Sequence, residues 1–454
     1  MAKLYFYGGA RSVTGSNYLL KTKKHSVLVD CGMTQGAHFC EPANHQPFLY
    51  DPKKIDALFI THSHLDHIGR IPRLVKNGFR GKIYSTAATL EISYLSLMDS
   101  VRLLSDDAKY HGEPIYTEED VERTKELFTP VAYGEKVSLS NELSATFHDA
   151  GHILGSSFIE MQFKTGKALR TIVFSGDVGN PPTPLLNPTE AIEKADYLLV
   201  ESAYGDRLHE DVKKRKDILE DIIEDAMNHK GVLMIPSFAM ERTQELLYEL
   251  NELVENHRIP KVPVFVDSPL AIKMTEIFKK HPELYNKEAA YLLKSGDELF
   301  NFPGLHFATS VEESKKINGV APPKIIIAGS GMLHGGRIGF HLLRNLSDKN
   351  STLLIVGYQV AGSLGRRILE GEKDVTVMGQ PVKVRCRVRK IGGYSAHADQ
   401  AMLLSWVDHM RHHLKKVFVV QGEEHASLAL AEKIRDNLGV NAEVPFANSE
   451  VDLD

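Results

Sequence analysis

Cysteine is scarce: Cys31, Cys40 and Cys386 are the only three in 454 residues, an odd number with no CxxC pair. That usage excludes a disulfide framework and a thiolate zinc site, so any metal would be held by histidine and carboxylate. No apolar run approaches the length of a bilayer span, and the opening "MAKLYFYGGARSVTGSNYLL" reads as strand, glycine turn and strand, unlike a signal peptide. No membrane association is expected, and the default location is cytoplasmic. Positive charge is not in excess: 54 Lys and Arg against 59 Asp and Glu give a net charge of −5. A polyanion would therefore need a local basic groove. One candidate is "VKVRCRVRKIGG", where Lys383, Arg385, Arg387 and Arg389 alternate and would share one strand face. An exposed strand face kept polar explains the same pattern. The cluster "DVKKRKD" at 211–217 reads as a solvated helix face. Repeats and low-complexity tracts are missing apart from a polar tail after Phe446.

What is present is organised in two textures, and the length alone suggests two domains. Short β-rich runs at 3–7, 17–21, 26–30, 57–61, 82–85, 144–148, 158–163, 170–175 and 197–200 fill the first two hundred residues. Helices are expected there around 68–77, 86–107 and 117–127, which together predict an α/β sandwich. From about residue 206 the pattern becomes strand, glycine or proline turn, helix, repeated. "GVLMIPSFAMERTQELLYELNELVENH" and "PKIIIAGSGMLHGGRIGFHLLRNL" each begin with a continuous apolar run of the kind buried in a parallel sheet. A doubly wound block over 206–390 follows from this, with 391–454 returning to one strand and amphipathic helices.

The chemistry is concentrated in "THSHLDHIG". His62 and His64, two apart in extended chain, point to one side and can bind one ion. Asp66 and His67 lie at the turn into a helix and would serve a second ion nearby. "FHDAGHILGSS" adds His152 just past a strand, and "TIVFSGDVGN" adds Asp177 at the end of another, where a carboxylate can bridge two cations. Two zinc ions about 3.5–4 Å apart would activate a water and clamp a phosphodiester, which implies metal-assisted hydrolysis.

This order of motifs, with Asp30 in "VLVDCG" ahead of it, resembles the metallo-β-lactamase superfamily. "DYLLVESAYGDR", "IPSFAMERTQELL", "VFVDSPLA", "AGSGMLHGGR", "VGYQVAGSLGRRILEG" and "GGYSAHADQ" resemble, more narrowly, the β-CASP ribonucleases, over nearly the whole chain. The resemblance implies an α/β fold: a metallo-β-lactamase αββα sandwich, formed by 1–205 and 391–454, with an inserted doubly wound β-CASP domain at 206–390. It also implies two Zn2+ per chain. His62, His64 and His152 would hold one, Asp66 and His67 the other, and Asp177 would bridge, with Asp66 also counted as catalytic. Glu201 and His397 match the family's catalytic acid and histidine, a pair suited to protonating a departing ribose oxygen. The sequence departs from the pattern once: Gln421, in "VVQGEEHASLAL", stands where the last histidine ligand belongs. Either His425, about one helical turn later, reaches back to that ion, which is the favoured reading, or the second site is weaker or occupied differently.

"IIIAGSGMLHGGR" is a strand, a glycine-rich turn and a helix, which offers backbone N–H groups to an anion. Ser330, Gly331 and Arg337 are the expected phosphate contacts, with Arg242 and Arg366 behind them. GK[ST] is absent, so no nucleotide cofactor is implied. The leading reading is a zinc-dependent ribonuclease acting on single-stranded RNA in a cleft between the domains, possible as a homodimer because relatives often dimerise. The rivals are another hydrolase of the same fold acting on a small thioester, lactone or lactam, a DNA nuclease, and a weakly active RNA-binding relative.

Overall fold

Alternation along the first strands sets the architecture. The computed structural model describes residues 1–36, 40–209, 214–333, 335–357, 359 and 362–454, with backbone alone over 106–111. In the strand Ala2–Gly8, Leu4 and Phe6 enter one buried cluster while Tyr5 and Tyr7 pack against another. Val27 and Val29 likewise separate from Leu28, because successive strand residues face opposite sides. Both faces of each sheet are therefore covered.

Two compact units result. The first comprises Met1–Pro181, Pro188–Leu208 and Ala396–Asp454. One of its sheets runs, in spatial order, Glu450–Leu453, Ala2–Gly8, Asn17–Lys21, Ser26–Val29, Ala57–Phe59, Lys82–Ser85 and Phe128–Pro130. The other runs Ala442–Glu443, Lys416–Val419, Tyr197–Val200, Ala168–Phe174, Ser157–Thr165, Leu143–Asp149 and Lys136–Ser140. Phe6, Val29 and Phe59 share a core with Phe147, Met161 and Phe174, so the sheets pack on each other. Ile71, Leu74 and Leu97 of the helices Ile71–Lys76 and Ala87–His111 cover the outside of the first sheet. Trp406 and Leu430, from Gln400–Asp408 and Glu424–Leu438, cover the outside of the second. This is an αββα sandwich.

Three local expectations are corrected. The polar tail is a strand: Glu450–Leu453 pairs antiparallel with Ala2–Tyr5 and ends on Leu453, which is fully buried. The helix expected at 68–77 is two helices, Leu65–Ile68 and Ile71–Lys76, since Pro72 lacks an N–H and its ring would clash with the carbonyl four residues earlier. Of the cluster at 211–217, residues 211–213 lie outside the described residues. Arg215 is not solvated: it is buried and bonds Glu249.

The second unit, Pro182–Asn187 with His209–Ser395, holds a six-stranded parallel sheet in the order Leu305–Phe307, Val264–Asp267, Lys324–Ala328, Val232–Pro236, Thr352–Val356 and Arg387–Ile391. Its four interior strands are buried throughout, as parallel strands covered on both faces must be. The segment Pro182–Asn187 joins this unit because the Asn286 side-chain amide donates to the carbonyls of Thr183, Pro184 and Leu186. The alternating basic run does not form one strand. Lys383 ends the hairpin strand Gln380–Lys383, the amides of Arg385 and Cys386 turn to the Leu346 carbonyl, and only Arg387 and Arg389 lie on the next strand, beside Asp225.

Candidate metal centre

The strand Ala57–Phe59 ends beneath a cluster of imidazoles in the first unit. His64 is still extended, at φ −68 and ψ 145, and immediately precedes the short helix Leu65–Ile68 that carries Asp66 and His67. His62 Nε2 lies 3.0 Å from His64 Nδ1, and His152 Nε2 lies 3.2 Å from the same atom. Asp177 closes the group, its Oδ2 being 3.3 Å from His62 Nε2 and 3.5 Å from His152 Nε2. One ligand atom from each of these four residues lies within 4.8 Å of every other.

The outer nitrogens fix the tautomers. His152 Nδ1 is 3.1 Å from the Ala396 carbonyl and so carries its hydrogen there. Thr61 Oγ1 donates to Asp30 Oδ2 at 2.9 Å, which leaves it to accept from His62 Nδ1 at 3.1 Å. Nε2 of both rings is thereby an unprotonated donor aimed into the cluster. Burial and the neighbouring imidazoles lower the pKa of all three histidines, His64 and His152 strongly. Burial opposes a charged Asp177, yet His67 and His62 outweigh it and hold that carboxyl well below the usual range. Three neutral imidazoles and one carboxylate with facing lone pairs fit a tetrahedral zinc site.

Asp66 and His67 are joined to this group more loosely. His67 Nε2 is 3.3 Å from Asp177 Oδ1 and 3.8 Å from Asp66 Oδ2. Burial raises the Asp66 pKa, against the pull of His67. At His67 burial opposes a charge, but the carboxylates of Asp177, Asp30 and Asp66 draw positive charge to that corner.

Asp177 also belongs to a second group, with Glu201 and His397. Glu201 is fully buried just past the strand Tyr197–Val200, accepts the Val178 amide at 2.6 Å, and lies 3.2 Å from His397 Nδ1. Burial works against a charged His397, but Glu201 and then Asp177 raise its pKa to about 9. A histidine so held carries a proton at neutral pH.

The remaining expected site residues are placed elsewhere. His425 is corrected: its side chain is 59% exposed, its Nε2 lies 3.1 Å from Asp206 Oδ2, and it sits on the helix Glu424–Leu438, whose periodicity turns it outward. Gln421 itself meets the centre, its Nε2 3.0 Å from His67 Nε2. Arg337 is committed to Asp267 at 2.8 Å and to the Ala308 carbonyl, and Arg242 is buried against Glu245 and the Tyr394 ring. Neither guanidinium is held ready for a phosphate. Arg366 is half-exposed and pairs with Glu370 at 2.6 Å. The turn with Ser330 and Gly331 does link the strand Lys324–Ala328 to the helix Ile338–Asn345, but it folds on itself: the Leu333 and Ile338 amides donate to the Ser330 and Gly329 carbonyls. His334, and residues 358, 360 and 361 of "VGYQVAGSLGRRILEG", lie outside the described residues.

Thr61 was not foreseen as a site residue. Its hydroxyl contacts Asp30, His62 and His67 at 2.9, 3.1 and 3.3 Å. The only signal in the sequence is its place directly before HxHxDH.

Comparison with known proteins places the chain in a family. Residues 11–223 match the metallo-beta-lactamase superfamily, 243–368 the Beta-Casp domain, and 381–445 the Zn-dependent metallo-hydrolase RNA specificity domain. Ribonuclease TTHA0252 of Thermus thermophilus is 38% identical over 426 residues, covering 94% of both chains. The transcription termination factor FttA of Methanosarcina mazei is 32% identical over 448 residues, 95% of this chain and 69% of that one. A crystal structure of a protein of unknown function from Enterococcus faecalis V583 shares the fold, with a TM-score of 0.60 at 12% identity over 99% of each chain. An αββα sandwich bearing the histidine and aspartate cluster, an inserted parallel-sheet unit, and a relative 38% identical over 94% of both chains establish that the chain belongs to the β-CASP family of the metallo-β-lactamase superfamily, a family of metal-dependent hydrolases.

Proposed function

We propose that the protein is a zinc-dependent ribonuclease that hydrolyses phosphodiester bonds of single-stranded RNA. The observation that carries this reading is Asp177, which joins the four-donor group to the Glu201 and His397 pair. Hydrolysis of a phosphodiester needs an activated water on one side and a proton for the departing oxygen on the other, and these groups supply both from adjacent positions. The relatives named a ribonuclease and a transcription termination factor support RNA as the substrate class.

His62, His64, His152 and Asp177 would hold zinc, which when bound supplies Lewis-acid polarisation of the phosphoryl group and of the attacking water. Asp66, its carboxyl pKa raised by burial, orients that water and accepts its proton. Glu201 holds His397 by Nδ1, so Nε2 is the nitrogen that gives its proton to the departing ribose oxygen.

The test is to incubate purified protein, stripped by chelator and then reloaded or not with zinc, with labelled single-stranded RNA bearing a 5′ monophosphate or a blocked end. Cleavage is expected only with zinc, and loss of it in Asp66→Ala. The reading fails if cleavage ignores metal and Asp66→Ala matches the parent.

A further inference from the structure

We propose that this chain holds a single zinc, at His62, His64, His152 and Asp177, because the Gln421 amide is hydrogen-bonded onto the ring nitrogen of His67 that a second zinc would require. The proposal rests on the zinc reading above and departs from the two-zinc expectation.

His67 Nδ1 lies 2.7 Å from Asp30 Oδ2, a buried carboxylate, and therefore carries a hydrogen toward it. Nε2 is then the only ring nitrogen with a lone pair to offer a metal. That lone pair is met by Gln421, whose Nε2 stands 3.0 Å away. Orientation of a side-chain amide is read from its partners, and here the partner is unambiguous: the same Nε2 lies 3.1 Å from the Val13 carbonyl oxygen. Flipping the amide would set Oε1 against that carbonyl, oxygen against oxygen. One amide hydrogen therefore goes to Val13 and the other to His67.

The side chain is also wedged in place. Gln421 is 3% exposed, and its Oε1 is buried without a hydrogen-bond partner. A Cβ on Gly9 would fall 2.0 Å from that oxygen, so the chain above the amide admits nothing larger than glycine. The Gln421 amide N–H donates to the Gly9 carbonyl at 2.7 Å, which ties the two strand ends together. Withdrawing the amide from His67 would need this packing to open.

An amide nitrogen has no lone pair for a metal, and an amide oxygen is a weak ligand for zinc, which favours imidazole and thiolate. The replacement that could have restored a nitrogen ligand, His425, is exposed and bound to Asp206. Among the described residues, Asp66 and His67 thus have no third ligand residue beyond the shared Asp177. Three carboxylates, of Asp177, Asp30 and Asp66, face this corner, and a weakly held hard cation can offset their charge without a ligand from position 421.

The experiment is a metal count by plasma mass spectrometry on protein folded with excess zinc and passed through gel filtration. The parent and Asp66→Ala are each expected to retain about one zinc per chain, and His152→Ala close to none. Gln421→His, placed at φ 50 where histidine is tolerated, is expected to rise to about two. Two zincs in the parent, a fall in Asp66→Ala, or a folded Gln421→His that stays at one would each overturn the proposal. No zinc in the parent would instead sink the zinc reading itself, and the proposal with it. Should Gln421→His not fold, anomalous diffraction from parent crystals at the zinc edge decides: one peak supports the proposal and two defeat it.

Discussion

The Nδ1 atom of His397 lies 3.2 Å from the carboxylate of Glu201 and 3.8 Å from that of Asp177, so the proposed proton carrier is held against the same aspartate that closes the four-donor group. If His397 protonates the departing oxygen, His397→Ala slows RNA hydrolysis about 10²- to 10⁴-fold. Glu201→Gln gives a smaller loss, since the ring remains but its charge is less favoured. On bis(p-nitrophenyl) phosphate, whose leaving group needs no proton, the His397→Ala loss largely disappears. Equal losses on the two substrates, measured side by side, would show that His397 positions rather than protonates.

Asp30 holds the cluster from behind. Its Oδ1 accepts the Thr61 amide at 2.9 Å, and its Oδ2 meets Thr61 Oγ1, Ser16 Oγ and His67 Nδ1 at 2.9, 3.2 and 2.7 Å. Its backbone is left-handed, at φ 59, where asparagine and aspartate are at home. Asp30→Ala strands several buried donors and strains the backbone, which lowers stability by about 3 kcal/mol or more. Asp30→Asn keeps both shape and backbone and lowers it less. Urea unfolding of the two variants checks the order, and an alanine variant within about 0.5 kcal/mol of the parent would contradict it.

His148 supplies a pH dependence. It stacks on Phe158 and lies 3.2 Å from Glu160 and 3.0 Å from Glu190. Burial lowers its pKa, but hydrogen bonds to the two glutamates outweigh it and raise the folded value above 6.5. A histidine whose pKa rises on folding adds stability that is fully present below the unfolded value and is lost as pH climbs through the folded one. The difference in unfolding midpoint between the parent and His148→Gln is therefore largest below the ordinary histidine pKa of about 6.5 and shrinks as pH rises above it. A difference constant across that range would mean that the ring acts by packing alone.

Much of this was legible before the structure. His62, His64, Asp66 and His67 stand out because four metal-suited side chains fall within six residues, whereas His152 and Asp177 gain weight only as a set following them. The parallel strands were readable because burial on both faces leaves continuous apolar runs such as Lys324–Ala328. What escaped depends on partners distant in sequence. The strand Glu450–Leu453 looks like a polar tail until Ala2–Tyr5 pairs with it. The arginines chosen as phosphate contacts look free until Asp267 and Glu245 claim two of them. His425 is one helical turn from Gln421, but the direction in which a helix presents a side chain is set by which face the core covers, here Ala426, Ser427 and Leu430.

Arg215 shows how a basic run can hide a structural ion pair, and its removal is the strongest stability prediction. Its Nε donates to Glu249 Oε1 at 2.8 Å and its guanidinium lies 5.1 Å from the Tyr394 ring, whose hydroxyl donates to the other oxygen of Glu249. Arg215 and Glu249 are 7% and 3% exposed, so neither can turn to water when its partner is lost. Arg215→Ala leaves the Glu249 carboxylate uncompensated and is expected to destabilise by about 3–5 kcal/mol. Replacing both residues, Arg215→Met with Glu249→Leu, removes the two charges together and regains much of that loss, because burying an ion pair repays little more than its own desolvation. Denaturant unfolding of the two single variants and the double variant gives the coupling directly. A double variant as unstable as the sum of the singles would show that the two side chains stabilise the unit independently.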